Sequence, residues 1–290
     1  MALKALLIAV AAMTGLGGLL AAMLALANRK LYVYVDPRIA AVEEALPGSN
    51  CGACGLPGCQ PFAEAVVSGG ISPGSCTPSN EENREAIAEL LGVDVGGGEK
   101  VVARLACAGG SNVARQRARY EGLQTCEGAD LVAGGGKGCA WGCLGLDDCM
   151  VACTFDAIVM NPFSLPVVDE VACTACGDCV DACPRDLFSL HPVSHRLWVA
   201  CANEAFGDEA EAECDVACNA CGLCVQDAAE GVMRMERNLA VVDYDLNRRA
   251  AMGAIARCPT GAIVWLAGGP NVLKGAKANR IVRHTPLPLG

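Results

Sequence analysis

The sequence predicts an α+β protein in which one long apolar helix is followed by several small cysteine-rich modules. Three observations carry this reading. Residues Ala5 to Ala27 hold no charge, twenty of the 290 residues are cysteine and 34 are glycine, and aromatic residues make up only 4%. The length suits two or three small domains. So few large side chains cannot build ordinary cores for them, so staples must do part of that work: disulfides or metal centres. A net charge of -10, with a pI of about 4.8 and no basic patch, argues against nucleic acid as a partner. It fits a solvated acidic surface or a basic redox partner.

The helix comes first. A run of about 23 uncharged residues is long enough to cross a hydrocarbon core of roughly 30 Å. Small residues such as those of "TGLGGLLAA" suit close helix packing within a membrane. A cleaved secretory signal is the alternative, since "ALA" at 25–27 resembles a cleavage site. The length of the run, and Arg29 and Lys30 directly after it, favour a retained anchor over residues 1–28. The same positive charges place the bulk of the chain on the cytoplasmic side, although Lys4 lies on the other flank. A reducing compartment disfavours disulfides and leaves metal centres as the staples.

Residues 29–100 form the next unit. "CGACGLPGC" supplies Cys51, Cys54 and Cys59, and "SPGSC" supplies Cys76 after a short helix that has Pro61 in its first turn. The glycines allow the backbone to approach a cluster and donate N–H bonds to its sulfurs. These four cysteines are read as the ligands of one 4Fe-4S cluster, with structural zinc as the alternative. "NEENREAIAELLG" then predicts a helix capped by Asn80, and "VDVGGGEK" a linker.

Residues 101–190 carry the strongest motif. "CTACGDCVDACP" has the spacing C-x2-C-x2-C-x3-C-P, in which three thiolates wrap one cubane and the fourth serves a second. Zinc does not explain a third and fourth cysteine at this spacing, and the C-x-x-C-H of a c-type haem is absent. The partner half, "CAWGCLGLDDCMVAC", is irregular. Leu146 stands where a second cysteine belongs, and Cys139 is expected to compensate from upstream. Crossed ligation then groups Cys139, Cys143 and Cys149 with Cys183, and Cys173, Cys176 and Cys179 with Cys153. Thr154 replaces the usual proline after Cys153.

Residues 191–266 repeat the theme: "LACA" at 105–108 returns as "VACA" at 199–202, and "CTFDAIVM", "CPRDLFSL" and "CPTGAIVW" share one form. Cys218, Cys221 and Cys224 with Cys258 reproduce one crossed site. Its sister is missing, because Ala228 occupies the remote-ligand position and Asn247 to Arg257 holds no cysteine. The module is therefore a half-degenerate ferredoxin-like unit, in which "RRAAMGAIA" fills the vacated volume at helix-compatible spacing. Its single cluster suits a port where electrons enter or leave. Cys107, Cys126, Cys201 and Cys214 remain, either as ligands of a fifth cluster or as buried thiols. At least three clusters are expected, four if every complete set is filled. The tail, residues 267–290, is mildly basic and reads as an irregular extension.

Other features are inert on this reading. "AGGGKGC" at 133–139 lacks the Ser or Thr that follows the Lys of a phosphate loop, and "TGLGG" lies within the apolar helix. No NAD or flavin motif and no nucleophile constellation is present. His191, His195 and His284 are expected at surface or turn positions.

"CGACGLPGCQPFAEA…C" after one apolar helix and before "CAWGCLGLDDC…CTACGDCVDACP" resembles the RnfB family of the Rnf complexes, and the related Rsx subunit, over roughly residues 1–265. The resemblance implies an electron-transfer subunit of a membrane-bound, ion-motive oxidoreductase of the bacterial inner membrane, acting at the ferredoxin end. It further implies partner subunits that carry the flavins and the NAD site, and soluble ferredoxin or flavodoxin as a redox partner. Two alternatives are an iron–sulfur scaffold or carrier and a polyferredoxin subunit of a membrane hydrogenase. The completeness of the set from Cys139 to Pro184 argues against the first, and the opening "CGACGLPGC" against the second.

Overall fold

The computed structural model describes residues 2–31, 35–269, 271–281 and 283–289. Met1, residues 32–34 and three positions of the tail lie outside the described residues. Helix α1 (Ala2–Leu31) is followed by α2 (Pro37–Ala45), α3 (Cys59–Val67) and α4 (Glu81–Leu91). Val10–Leu31 has a mean hydropathy of 2.0 and buries nothing against the rest of the chain, so its apolar side chains have no internal partner.

Helices α2, α3 and α4 close around Val42, Phe62, Val66 and Ile87. The expected cap is present: the Asn80 side chain accepts a hydrogen bond from the Asn83 amide, and Gly92 ends α4 in the left-handed region at φ 65°. The linker is not free. Gly74 donates to the Val95 carbonyl at 2.7 Å, and a Cβ on Gly74 would lie 1.9 Å from the Gly96 oxygen. Only glycine fits there, two residues before Cys76.

Two modules of one topology follow. In the first, β1 (Val101–Leu105) leads through a long insertion carrying α5 (Cys126–Leu131) to α6 (Asp148–Val151). Then come the hairpin β2 (Ile158–Met160) and β3 (Pro166–Val168), α7 (Asp178–Asp181) and β4 (Phe188–Pro192). β1 pairs antiparallel with β4, with Ala103 opposite Leu190, and β2 pairs with β3. The second module repeats this. β5 (Leu197–Val199) precedes α8 (Asp208–Glu213), α9 (Leu223–Asp227), the hairpin β6 (Met233–Glu236) and β7 (Leu239–Val242), and β8 (Ile263–Leu266). β5 pairs with β8 and β6 with β7.

Where the second module should have its second cluster helix it has two 3-10 turns, Tyr244–Arg249 and Met252–Ile255, rather than the helix-spaced packing expected. Ala254 and Ile255 fill the core there, while Met252 is exposed. Asn247 is buried and imitates a strand: its amide donates to the Leu197 carbonyl at 2.8 Å and its oxygen accepts from the Leu197 amide at 3.3 Å.

The tail is more regular than expected. β9 (Val272–Lys274) extends the β5–β8 sheet, and the Leu287 amide donates to the Ser111 carbonyl in the first module's insertion. One histidine is also differently placed: His191 lies in β4, whereas His195 ends the turn that begins at Pro192. His191 and His195 are partly buried, and His191 lies 4.2 Å from the Tyr244 ring and 5.0 Å from Trp198, centroid to centroid. Burial lowers the His191 pKa to about 4, so the ring serves as a neutral aromatic joining the two modules.

Candidate iron–sulfur centres

All twenty cysteines are free thiols. The fold gathers them into five groups of four. Three of the groups are those expected from spacing.

Cys51, Cys54 and Cys59 surround Cys76. Burial pushes the Cys76 thiol up to about 11, and the charges of those three neighbours add to the effect. The loop is held in place by Asn50, whose side-chain oxygen accepts the Cys59 amide at 2.8 Å at the start of α3. Cys153, Cys173, Cys176 and Cys179 line a cavity of about 320 Å³, where the Ala103 amide of β1 donates to the Cys173 sulfur at 3.4 Å. Cys218, Cys221, Cys224 and Cys258 converge in the second module, with Cys221 exposed and the other three buried.

The remaining two groups correct the expected partition. Cys139 does not join Cys143, Cys149 and Cys183. Those three line a cavity of about 330 Å³ together with Cys126. The reason lies in the insertion. Thr125 caps α5 and aims Cys126, in its first turn, at the backbone of Leu146, the position that lacks a cysteine. The Cys139–Gly142 turn is meanwhile drawn aside by Arg185, whose guanidinium donates to the carbonyls of Cys139 and Gly142. Cys139 thus faces Cys107, Cys201 and Cys214 in a cavity of about 310 Å³ between the modules.

A signal for this was present in the sequence. Cys139 precedes Cys143 by the same C-x3-C step that separates Cys214 from Cys218, and Cys107 and Cys201 occupy the same place in the repeated "ACA". The structure carries the repeat into hydrogen bonding. The Gly109 amide donates to Cys107 sulfur at 3.3 Å and the Asn203 amide to Cys201 sulfur at 3.4 Å. The Cys143 amide also reaches Cys107 sulfur at 3.4 Å, and the Cys218 amide reaches Cys201 sulfur at 3.3 Å.

These groups fit 4Fe-4S clusters on the chemistry of the donors. Each of the three cavities is lined by four cysteines. Among the described residues, no three His, Cys, Asp or Glu side chains converge closely enough for a single ion, so the thiols ring spaces rather than points. Burial holds Cys143, Cys149, Cys179, Cys201, Cys214 and Cys224 at about 12, with neighbouring thiolates adding to the effect. Thiols so reluctant to ionise need iron to supply the opposing charge. Glycine keeps the space open: a Cβ on Gly109 would sit 3.3 Å from Cys214 sulfur and 3.5 Å from Cys107 sulfur.

The groups also follow one another in contact. The Thr77 hydroxyl, next to Cys76, donates to the Thr174 carbonyl, next to Cys173. Cys149 packs in one buried cluster with Cys173 and Cys179. The two amide-to-sulfur bonds from Cys143 and Cys218 make the last two junctions. Thr77→Val is expected to loosen the first junction by roughly 1 kcal/mol, the worth of one hydrogen bond. Amide hydrogen exchange around Cys76 and Thr174 should then accelerate about fivefold on that figure, with Thr77→Ser unchanged. Equal exchange in Thr77→Val and the unsubstituted protein would remove Thr77 from the junction.

Sulfur groups of this kind, set in halves of bacterial ferredoxin topology behind a helix long enough to span a membrane, belong to iron–sulfur electron-transfer proteins. Two families match locally: the Fe-S cluster family over residues 46–78 and the 4Fe-4S binding domain over residues 166–188. Longer relatives narrow the class. The chain is 39% identical over 261 residues to the B subunit of the Na(+)-translocating ferredoxin:NAD(+) oxidoreductase complex of Acetobacterium woodii, covering 90% of this chain and 78% of that protein. It is 37% identical over 255 residues to the B subunit of the ion-translocating oxidoreductase complex of Methanosarcina acetivorans, covering 88% and 96%. The B subunit of the proton-translocating ferredoxin:NAD(+) oxidoreductase complex of Clostridium ljungdahlii is 34% identical over 267 residues, covering 91% and 94%. The chain belongs to this family, the RnfB subunits of the ion-translocating (Rnf) oxidoreductase complexes, and α1 fits the membrane anchor of such a subunit.

Proposed function

We propose that this subunit is a five-station electron wire whose twenty cysteines hold five 4Fe-4S clusters in a row. The observation that carries the reading is the unbroken succession of four-cysteine groups, each in contact with the next. When bound, the clusters supply one-electron carriers; the chain's own residues set their spacing, exclude water and donate N–H bonds to their sulfurs. The order runs from Cys51, Cys54, Cys59 and Cys76 to Cys153, Cys173, Cys176 and Cys179, then to Cys126, Cys143, Cys149 and Cys183. It continues through Cys107, Cys139, Cys201 and Cys214 and ends at Cys218, Cys221, Cys224 and Cys258.

The ends have different surroundings. The first group lies in the unit of residues 29–100, directly after the anchor of residues 1–28, which suits exchange with other subunits of a membrane complex. The last lies in the unit of residues 191–266, and its Cys221 is exposed, which suits a soluble ferredoxin or flavodoxin. Residues 101–190 carry the two middle groups nearest the anchor, and the tail of residues 267–290 straps the two modules together through its described parts, β9 and Leu287. On this arrangement residues 29–290 lie on the cytoplasmic side of the inner membrane, and the names of the relatives make ferredoxin:NAD oxidoreduction with ion translocation the activity of the assembled complex.

The test is a count on the full-length protein purified anaerobically. About twenty irons and twenty acid-labile sulfides per chain are expected, four of each per cluster. About sixteen would remove the station between the modules. About eight would favour a carrier with partly filled sites.

A further inference from the structure

We infer that Lys137 is a potential-setting residue: its buried ammonium, fixed between the group of Cys139 and the group of Cys143, makes these two stations easier to reduce. The inference rests on the cluster assignment proposed above.

Lys137 is 9% exposed. Its Nζ donates to the Gly109 carbonyl at 2.7 Å and to the Cys143 carbonyl at 2.6 Å. Gly109 gives its own amide to Cys107 sulfur, and Cys143 belongs to the adjoining group. The ammonium therefore sits on the backbone that separates the two cavities and lines one of them. Its attraction reaches the sulfurs of Cys139, Cys143 and Cys214.

The other buried cations are neutralised: Arg104 pairs with Glu170, and Arg185 with Asp130. Among the described residues, no carboxylate pairs with Lys137. A buried ammonium held by carbonyls alone is costly, and an anion must offset it. Thiolate-ligated clusters on both sides are that anion. Glycine allows the placement. Gly134, Gly135 and Gly136 all have positive φ, and a Cβ on Gly136 would strike the Ala118 oxygen at 2.3 Å. "AGGGKGC" is thus a loop that delivers a charge, though not to phosphate.

The sign follows from Coulomb's law. Each station gains one electron from its neighbour and passes one on, with no proton required. The added negative charge is stabilised by the ammonium in low dielectric, so reduction is favoured. Removing the charge without changing the sulfurs must lower the potential.

The experiment is an EPR-monitored potentiometric titration of the full-length protein, with iron counted in parallel. Signals are assigned by their loss in Cys214→Ser and in Cys126→Ser. In Lys137→Met and Lys137→Gln the reduction equilibrium of both assigned signals should fall at least tenfold, about 59 mV for a one-electron couple. The signal lost in Cys51→Ser should stay in place. Lys137→Arg keeps the charge and should keep the potentials. Unmoved potentials at full iron content in the neutral variants would overturn the inference. So would a shift in Lys137→Arg equal to that in Lys137→Met, or loss of the clusters in both neutral variants, which would make the lysine structural. Absence of any signal that depends on Cys214 in the unsubstituted protein would instead sink the underlying ligand assignment.

Discussion

Cys126→Ala and Cys183→Ala should abolish the same EPR signal, and Cys139→Ala should abolish a different one, shared with Cys214→Ala. Each substitution opens one iron coordination position and is expected to cost up to one whole cluster, about four irons. The motivating geometry is that Cys126 lies with Cys143, Cys149 and Cys183, whereas Cys139 faces Cys107, Cys201 and Cys214. Pairing by sequence proximity makes the opposite forecast, with Cys139 and Cys183 sharing a signal. If Cys139→Ala and Cys183→Ala deplete one signal in common and leave a second untouched, the exchange of Cys126 for Cys139 is wrong.

The second large effect concerns the buried ion pair of the first module. Arg104 of β1 and Glu170 are 9% and 12% exposed, and Glu170 also accepts the Gly269 amide at 3.1 Å. The pair holds the stretch before Cys173 against β1, whose Ala103 amide donates to that cysteine's sulfur. Arg104→Met leaves an uncompensated carboxylate and should destabilise the protein by about 3–5 kcal/mol. Arg104→Met combined with Glu170→Gln removes both charges and should recover most of the loss. Anaerobic denaturant unfolding, followed by visible absorbance, gives the order: unsubstituted protein, then the double variant, then Arg104→Met at the lowest midpoint. A double variant no better than Arg104→Met would show that packing of the arginine stem, not charge, is what matters.

Much of this was readable from residues alone, for reasons that differ from site to site. The group of Cys173, Cys176 and Cys179 was legible because a two-residue step leaves thiolates no other common use at that repetition. Cys51 to Cys76 was legible because glycine and a following helix fix the loop locally. Asn80 marked the start of α4 correctly through cap chemistry, which depends on near neighbours. The partition of Cys126 and Cys139 was not legible from the missing cysteine at 146. Which sulfur fills that gap depends on where the insertion after β1 turns, and that turn is set by the Thr125 cap and by Arg185, which come from different stretches of chain. The reach of the tail was missed because β9 pairs through backbone alone, with side chains that are exposed and carry no alternating pattern.

The cavity between the modules has a bearing on how the chain matures. Cys107 and Cys139 come from one module, Cys201 and Cys214 from the other, so on the proposed assignment no half of the protein can finish this site alone. The four neighbouring sites can be filled within a single unit as it emerges. This one closes only after both modules have formed and docked, which makes it the last step of assembly. An interrupted or truncated chain would carry open thiols at its broken face, a chemical mark that separates unfinished subunits from those ready to join a complex.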